Sequence, residues 1–218
     1  MPVALQPALW GDDPASASGA ATAAPRPRPL QPGLERRSLT DGAWIDVRRG
    51  WMSRADALFE RLVTDVAWRA EQRPMYERVV AVPRLLANFA ESEALPHAAL
   101  AEAKTLLDRH YEHELGERFA TAGLCLYRDG RDSVAWHGDT IGRGRSENTM
   151  VAILCLGAPR PLMLRPRSGG EVIRLPLGHG DLIVMGGSCQ RTWEHAILKT
   201  ARPVGARISV QFRPRNVF

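Results

Sequence analysis

The fold is decided by the stretch AGLCLYRDGRDSVAWHGD, residues 122–139. Two short β-rich runs lie here on either side of an Asp-Gly turn signal, and similar runs follow toward the C-terminus. They read TMVAILCLG, PLMLRP, EVIRLP, DLIVMGG and ARISVQFR. About seven or eight short strands in so short a segment predict a sandwich or a barrel, of which the jelly roll is one form.

Two stretches before residue 122 have the periodicity of amphipathic helices. Ser53 and Asp56 form a capping signal for the first, and Gly116 ends the second. The apolar positions are Leu58, Phe59, Leu62, Val63 and Val66 in the first helix, and Leu100, Ala103, Leu107 and Tyr111 in the second. We therefore predict an α+β fold in which helices precede a strand-rich core.

The N-terminal part of the chain is poor in bulky apolar residues. Residues 11–33 are mostly Ala, Ser, Gly, Pro and Arg, and this composition does not offset the entropy lost on ordering. A short strand and turn follow in AWIDVRRGW, directly after Gly42. We predict a disordered or extended tail over residues 1–41 and a single domain over residues 42–218.

Composition limits the class of protein. The chain has 218 residues, of which 44% are hydrophobic and 24% charged, and this suits one domain with its own core. It has no long apolar run, secretory signal or glycine-rich nucleotide motif, so we predict a cytoplasmic protein without a nucleotide-cofactor fold. The net charge is +5 and 27 of the 29 basic residues are arginine, which favours an anionic partner such as nucleic acid. Cys125, Cys155 and Cys189 are far apart, and no disulfide is expected.

A metal site is indicated by His137 and Asp139, which are two residues apart at the end of a predicted strand. Both side chains therefore project from the same face. A later histidine would complete a set of two histidines and one carboxylate, which binds Fe(II) in oxygenases and leaves coordination positions open. We choose His195 as this third ligand. A structural zinc site would instead use four protein ligands.

The same triplet occurs a second time, as His179, Gly180 and Asp181. This copy lies between LPLG and LIVMGG, where Gly and Asp are typical of a turn that precedes a strand. It leaves room for about one hairpin before His195, whereas several strands separate His137 from His195. We therefore predict a turn for the second copy and the metal site for the first.

An anion site is indicated by ARISVQFR, residues 206–213. A regular strand places Arg207 and Arg213 on one side, and buried guanidinium groups require an anion, such as a small dicarboxylate. The alternative is an exposed polar face of an edge strand, which would also carry Ser209 and Gln211. Tyr127 either offers its hydroxyl to the same carboxylate or is a buried structural residue.

Longer strings agree with a known family. They are YRDGRDSVAWHGD (127–139), LGAPRPLMLRP (156–166), LGHGDLIVMGGSCQRTWEHAILKTARPVGARISVQFR (177–213) and MYERVVAVPRLL (75–86). Over about residues 42–214 the chain resembles the AlkB family of Fe(II)- and 2-oxoglutarate-dependent dioxygenases. The resemblance implies a double-stranded β-helix, which is a jelly roll, with N-terminal helices and a nucleotide-recognition lid before the core.

The resemblance also implies roles for the site residues. The implied metal ligands and catalytic residues are His137, Asp139 and His195, and the implied 2-oxoglutarate residues are Arg207, Arg213 and Tyr127. Arg213 would bind the C1 end of 2-oxoglutarate and Arg207 the C5 end. The implied chemistry oxidises an N-methyl group and releases formaldehyde. Because a base inside the double helix cannot be reached, this reaction requires a single-stranded substrate or a base flipped out of the helix.

Four residues are candidate substrate contacts. Arg84 of VPRLL would reach nucleic acid, with a carboxylate partner as the alternative. Arg143 would contact phosphates near the site mouth, or belong to a solvated loop. Trp136 is the third, although alternation directs both Trp136 and Trp193 away from the metal face and favours core packing. Phe89 is the candidate for stacking on the base opposite His137.

The chain departs from the family pattern at three positions. Cys125 and Ser209 stand where members have asparagines that hold 2-oxoglutarate. Ile141 stands where repair members have an acidic residue that contacts the damaged base. The cosubstrate affinity and the base preference are therefore left open by the sequence.

The leading hypothesis is oxidative dealkylation of N-alkylated bases in DNA, such as 1-methyladenine and 3-methylcytosine, by a monomeric enzyme. One alternative is a 2-oxoglutarate oxygenase that acts on RNA, protein or a small molecule. The other is a basic nucleic-acid-binding module without catalysis, in which substitution of His137 would leave binding unchanged.

Overall fold

The computed structural model describes residues 24–75 and 78–217. The elements of its first half are β1 Arg26–Pro27, β2 Leu34–Ser38, β3 Ala43–Arg48, β4 Met52–Ser53, α1 Ala55–Asp65, β5 Arg69–Met75, β6 Arg78–Phe89 and α2 Ala98–Leu115. Those of its second half are β7 Thr121–Tyr127, β8 Val134–His137, β9 Val151–Gly157, β10 Arg160–Pro166, β11 Ile173–Leu177, β12 Leu182–Gly187, α3 Cys189–Thr192, β13 Trp193–Ile197 and β14 Arg207–Arg213.

Two antiparallel sheets form the body of the protein. The larger has eight strands in the order β2-β3-β12-β9-β14-β7-β6-β5, and the smaller has four in the order β11-β10-β13-β8. Neighbours in the sheets are mostly distant in sequence, as in a jelly roll. The predicted α+β jelly roll with helices before its core strands is therefore confirmed.

The larger sheet separates two hydrophobic cores, as the side chains of β14 illustrate by pointing alternately to its two faces. Ile208, Val210 and Phe212 are fully buried toward α1 and α2, together with Leu124 of β7. The intervening residues of β14 face the smaller sheet, where the second core lies. Because β14 pairs with β7 on one side and β9 on the other, it is a central strand with both faces covered.

The two long helices pack on the outer face of the larger sheet. Leu58 and Leu62 of α1 and Leu107 of α2 are at most 1% exposed, and each such side chain contributes about 2 kcal/mol. The helix α2 ends at Gly116, whose φ of 79° suits glycine. The capping prediction for Ser53 is wrong, because Arg54 precedes α1 and forms no side-chain cap bond. None of the helices in the described ranges is long and apolar enough to cross a membrane.

The folded part begins earlier than the sequence predicts. We predicted a tail over residues 1–41, whereas β2 pairs with β3 along its whole length and β1 pairs with β4. Leu30 between them is buried in the helix-side core. The polar composition misled the prediction because β2 is an edge strand whose side chains are mostly exposed. Residues 1–23 of the predicted tail lie outside the described residues.

Candidate metal centre and cosubstrate cavity

The two histidines of the candidate metal centre meet on neighbouring strands of the smaller sheet. His137 ends β8 and stands directly opposite His195 of β13, with the ring centroids 4.2 Å apart. The imidazole Nδ1 of His137 lies 2.8 Å from the carbonyl oxygen of Ala135. A carbonyl oxygen only accepts, so Nδ1 carries the proton and Nε2 is left as the metal-binding atom.

The carboxylate of the centre is held by a turn built on Gly138. A Cβ at this position would lie 2.3 Å from the carbonyl oxygen of Gln190, so only glycine allows the two backbones to approach. The backbone N–H of Asp139 donates to Oε1 of Gln190 at 2.9 Å. Gln190 is 1% exposed and lies in α3, the turn between β12 and β13. Sequence reasoning missed this residue, because no local pattern relates it to Asp139.

The Asp139 carboxylate presents one oxygen to Arg213 and keeps the other free. Its Oδ1 accepts from Nε and Nη2 of Arg213 at 3.0 and 2.9 Å. Its Oδ2 is buried without a hydrogen-bond partner, 3.9 Å from Nε2 of His195. Burial raises the pKa of this carboxyl, but nearby positive charge, chiefly that of Arg213, lowers it more, so the net pKa shift is downward and Asp139 is ionised.

The donor set fits a ferrous ion. Ligand atoms of His137, Asp139 and His195 all lie within 4.8 Å of one another. Burial, followed by repulsion from His137, lowers the pKa of His195 to about 3, so its ring is neutral as a metal ligand must be. Two imidazoles and one carboxylate on one side of a cavity are the ligands of Fe(II) oxygenases. The unpartnered Oδ2 of Asp139 is the atom that a cation would satisfy.

The second His-Gly-Asp triplet is structural, as the turn prediction states. The carboxylate of Asp181 accepts the backbone N–H groups of Gly50 and Gly178, both at 2.8 Å, and an N–H of Arg49 at 2.6 Å. Nδ1 of His179 accepts the N–H of Gly157 at 2.7 Å. The triplet therefore ties the β11–β12 turn to the segment after β3.

A cavity between the two sheets joins the histidines to the predicted anion site. Its lining includes His137, His195, Tyr127, Arg207 and Arg213. The residue Arg207 is 2% exposed and the side chain of Arg213 is 18% exposed, so neither points into bulk water. The alternative of an exposed edge-strand face is therefore wrong, because β14 is central and its polar side lines a cavity.

Arg207 is a buried cation with no carboxylate partner among the described residues. Its Nη1 donates to Oγ of Ser209, its Nη2 lies 3.0 Å from Sγ of Cys155, and its Nε has no partner. Tyr127 lines the same cavity, and burial raises the pKa of its hydroxyl, so the hydroxyl remains a protonated donor. A buried, unbalanced guanidinium is costly unless an anion accompanies it. The cavity thus fits a small dicarboxylate such as 2-oxoglutarate.

The two departures at the predicted cosubstrate asparagines lie on the cavity face. Cys125 and Ser209 stand opposite each other on β7 and β14, and both line the cavity. Gln211 follows on the same face of β14, with its amide against the thiol of Cys125. The period-2 pattern of ARISVQFR was the signal that could have identified Gln211 as a site residue. All three cysteines are buried and free.

The structure places only one of the candidate substrate contacts in the cavity. Arg84 lines it, with Nη1 donating to the carbonyl of Ser133 at 3.1 Å and Nε unpartnered. The alternative for Arg84 was an ion pair with a carboxylate, and in the described ranges it contacts none. Arg143 lies outside the cavity lining and forms ion pairs with Glu117 and Glu147.

The aromatic substrate candidates, Trp136 and Phe89, also lie outside the cavity lining. Trp136 is half-buried beneath the guanidinium of Arg165, 4.3 Å from the ring centroid, so the prediction of core packing for this residue is wrong. Trp193 is buried in the core between the sheets, on the same side as His195, because residues two apart in a strand share a face. Phe89 packs toward the helices, opposite to Arg84 of the same strand.

Comparison with known families agrees with this geometry. The model of the 2OG-Fe(II) oxygenase superfamily matches residues 52–213. The chain therefore belongs to the 2OG-Fe(II) oxygenase superfamily. The predicted cofactors, Fe(II) and 2-oxoglutarate, are confirmed.

The curated relatives that match this sequence include AlkB homologues, in agreement with the resemblance. The chain is 30% identical over 202 residues to alpha-ketoglutarate-dependent dioxygenase alkB homolog 3 of Bos taurus, covering 83% of this chain and 66% of that protein. It thus spans slightly less than two thirds of that relative. It is 29% identical over 133 residues to DNA oxidative demethylase ALKBH2 of Arabidopsis thaliana, covering 50% of this chain and 42% of that protein.

Solved structures support the fold alone. The structure of OsALKBH1 has a TM-score of 0.56 at 12% identity, covering 81% of this chain and 100% of that chain. A prolyl hydroxylase from Trichoplax adhaerens, solved with a hypoxia inducible factor peptide, has a TM-score of 0.56 at 13% identity, covering 80% of this chain and 84% of that chain.

Proposed function

We propose that the protein removes N-alkyl groups oxidatively from bases in DNA, with 1-methyladenine and 3-methylcytosine as the type of lesion. The observation that carries this proposal is the convergence of the metal centre and two arginines on one cavity, in a chain related to named DNA oxidative demethylases. The products are the repaired base, formaldehyde, succinate and CO2. The proposal includes a monomeric enzyme that acts in the cytoplasm.

The chemistry is divided between the cofactors and the chain. Bound Fe(II), with 2-oxoglutarate and O2, supplies the oxidation that converts an N-methyl group into a hydroxymethyl group, which then leaves as formaldehyde. The chain holds His195 neutral, orients His137 through Ala135 and balances the cosubstrate carboxylates with Arg207 and Arg213. The walls between the two sheets limit access of water to this space.

Substrate access is proposed to lie along the β5–β6 hairpin. The second half of β6 pairs with β7, whereas β5 is the edge strand of the larger sheet and pairs with β6 alone. Arg84 lies on β6, where the hairpin joins the cavity, and is proposed to contact nucleic acid. We propose that this hairpin is the nucleotide-recognition lid, which holds a single strand or a base flipped from the duplex.

The test measures formaldehyde and succinate from methylated oligonucleotides. Purified protein with Fe(II), ascorbate and 2-oxoglutarate is given single-stranded DNA, duplex DNA and RNA that carry 1-methyladenine or 3-methylcytosine. We expect equal amounts of formaldehyde and succinate from DNA, and none from the variant His137→Ala. Release of formaldehyde from RNA alone, or succinate formation only with a protein or small-molecule substrate, would overturn the assignment to DNA. Unchanged binding by His137→Ala without any turnover in the wild type would identify a non-catalytic binding module.

A further inference from the structure

Gln211 lies in the cosubstrate cavity and has no role in the site described above. It stands on the cavity face of β14, between Ser209 and Arg213, and only 8% of the residue is exposed. It lines the same cavity as the two arginines and the two histidines. A buried amide at this position requires hydrogen-bond partners.

The partners that the structure gives this amide are weak. Nε2 of Gln211 lies 3.4 Å from Sγ of Cys125, and the thiol lies 3.7 Å from Oε1 of the same amide. A thiol is a poor donor and a poor acceptor. Most of the hydrogen-bonding capacity of the amide is therefore available to a ligand in the cavity.

Gly123 of β7 brings the amide close to Arg213. A Cβ built on Gly123 would lie 2.9 Å from Nη1 of Arg213 and 3.1 Å from Oε1 of Gln211, so both groups occupy the space that a side chain would fill. The ion pair between Arg213 and Asp139 uses Nε and Nη2, and Nη1 takes no part in it. The guanidinium and the amide thus converge on one region of the cavity.

We propose that Gln211 is a binding residue for 2-oxoglutarate. When the side-chain amide is flipped so that Nε2 takes the place of Oε1, its N–H donates to the same carboxylate that Arg213 binds. Gln211 thereby supplies an amide donor beside Cys125, where the family pattern has an asparagine. The proposal rests on the cofactor assignment and is independent of the nucleic acid substrate.

The test compares 2-oxoglutarate binding by two variants with a matched control. Anaerobic titration of the Fe(II)-loaded protein follows the visible metal-to-ligand charge-transfer band. We expect Gln211→Leu to raise the 2-oxoglutarate Kd by about tenfold to a hundredfold, the usual effect of losing a hydrogen bond to a charged group. We expect Gln211→Glu to raise it further, because a carboxylate repels the ligand. Gln31→Leu, on an exposed glutamine outside the cavity lining, should leave the Kd unchanged.

Two further measurements separate binding from a structural role. The Fe(II) affinity and the Tm of the metal-free protein should be close to wild type in Gln211→Asn, which keeps an amide but shortens its reach, while the 2-oxoglutarate Kd rises. The same fold-loss is expected with 2-oxobutyrate, which retains only the carboxylate next to the keto group. A wild-type 2-oxoglutarate Kd in Gln211→Leu or Gln211→Asn, or a loss confined to 2-oxoglutarate, would overturn the proposal. No nucleic acid enters these titrations, so failure of the dealkylase proposal would not affect them.

Discussion

Replacement of the aspartate in each His-Gly-Asp triplet by asparagine should distinguish the structural triplet from the metal-binding one. In Asp181→Asn the side chain still accepts one of the backbone N–H groups of Gly50 and Gly178, but its new NH2 group faces the other. Loss of one hydrogen bond to a carboxylate costs about 1.5–3 kcal/mol. The ion pair with Arg49 adds less than about 1 kcal/mol, because the Arg49 side chain is 49% exposed.

The expected loss for Asp181→Asn is therefore about 2–4 kcal/mol of unfolding free energy. At about 2–4 °C per kcal/mol for a chain of this size, the Tm falls by roughly 5–15 °C. Iron affinity and the charge-transfer band with 2-oxoglutarate should remain as in the wild type. Asp139→Asn also loses stability, since it breaks the buried pair with Arg213, but it should in addition lose Fe(II) binding.

The pH dependence gives an independent check on Asp181. Burial raises its pKa, but the N–H groups of Gly50 and Gly178 and the Arg49 side chain lower it more, so the folded pKa is below the unfolded value. The stability it contributes is therefore complete above about pH 4 and is lost as the pH falls through the folded pKa. The gap in Tm between wild type and Asp181→Asn should be constant near neutrality and narrow in acid. Retention of Fe(II) by Asp139→Asn together with its loss in Asp181→Asn would refute the assignment of the triplets.

Substitutions at three more positions test the site. Arg207→Met removes a buried cation that lacks a carboxylate partner in the described structure. Calorimetry should therefore show an unchanged or higher Tm for the metal-free protein, whereas the 2-oxoglutarate Kd should rise at least a hundredfold. Gln190→Met leaves the Asp139 N–H without its acceptor, so anaerobic titration should show Fe(II) binding weakened by about 10–100-fold. The control variant Gln190→Glu keeps the acceptor oxygen and should retain the Fe(II) affinity. Gly138→Ala places a Cβ 2.3 Å from a backbone oxygen, and circular dichroism should show a folded protein whose Fe(II) affinity is lost; wild-type affinity would contradict the turn geometry.

Local periodicity predicted the parts of the site that lie on single strands. The spacing of Arg207 and Arg213 places them on one face of β14. The same rule reaches His137 at the end of β8, but Asp139 lies beyond the strand, in the turn held by Gln190. The sequence left open whether Arg207 and Arg213 form a binding site or lie on the exposed face of an edge strand. The order of the strands decides between these alternatives, because it places β14 in the centre of the sheet. Strand order is set by pairing between β7, β14 and β9, which periodicity within one strand does not contain.

Contacts between distant segments account for the errors. The polar strand β2 gave no sign of order because its stability comes from the partner strand β3 and not from its own side chains. The prediction that Trp193 points away from the metal face was wrong for a different reason. Trp193 and His195 are two residues apart in one strand, so the period of two itself places them on the same face.

The distribution of unpartnered polar atoms connects the stability of the protein with its ligands. In the described part of the chain, buried atoms without a hydrogen-bond partner include Asp139 Oδ2, Arg207 Nε, Arg84 Nε and Gln190 Nε2, all in or beside the cavity. Each such atom costs about 1–3 kcal/mol, so the fold without ligands keeps an unfavourable cluster in the middle of its smaller core. A cation at Asp139 and an anion at Arg207 remove the largest parts of that cost together. Because each ligand binds only the folded chain, the groups required for the reaction also complete the core, and both ligands stabilise the fold by mass action.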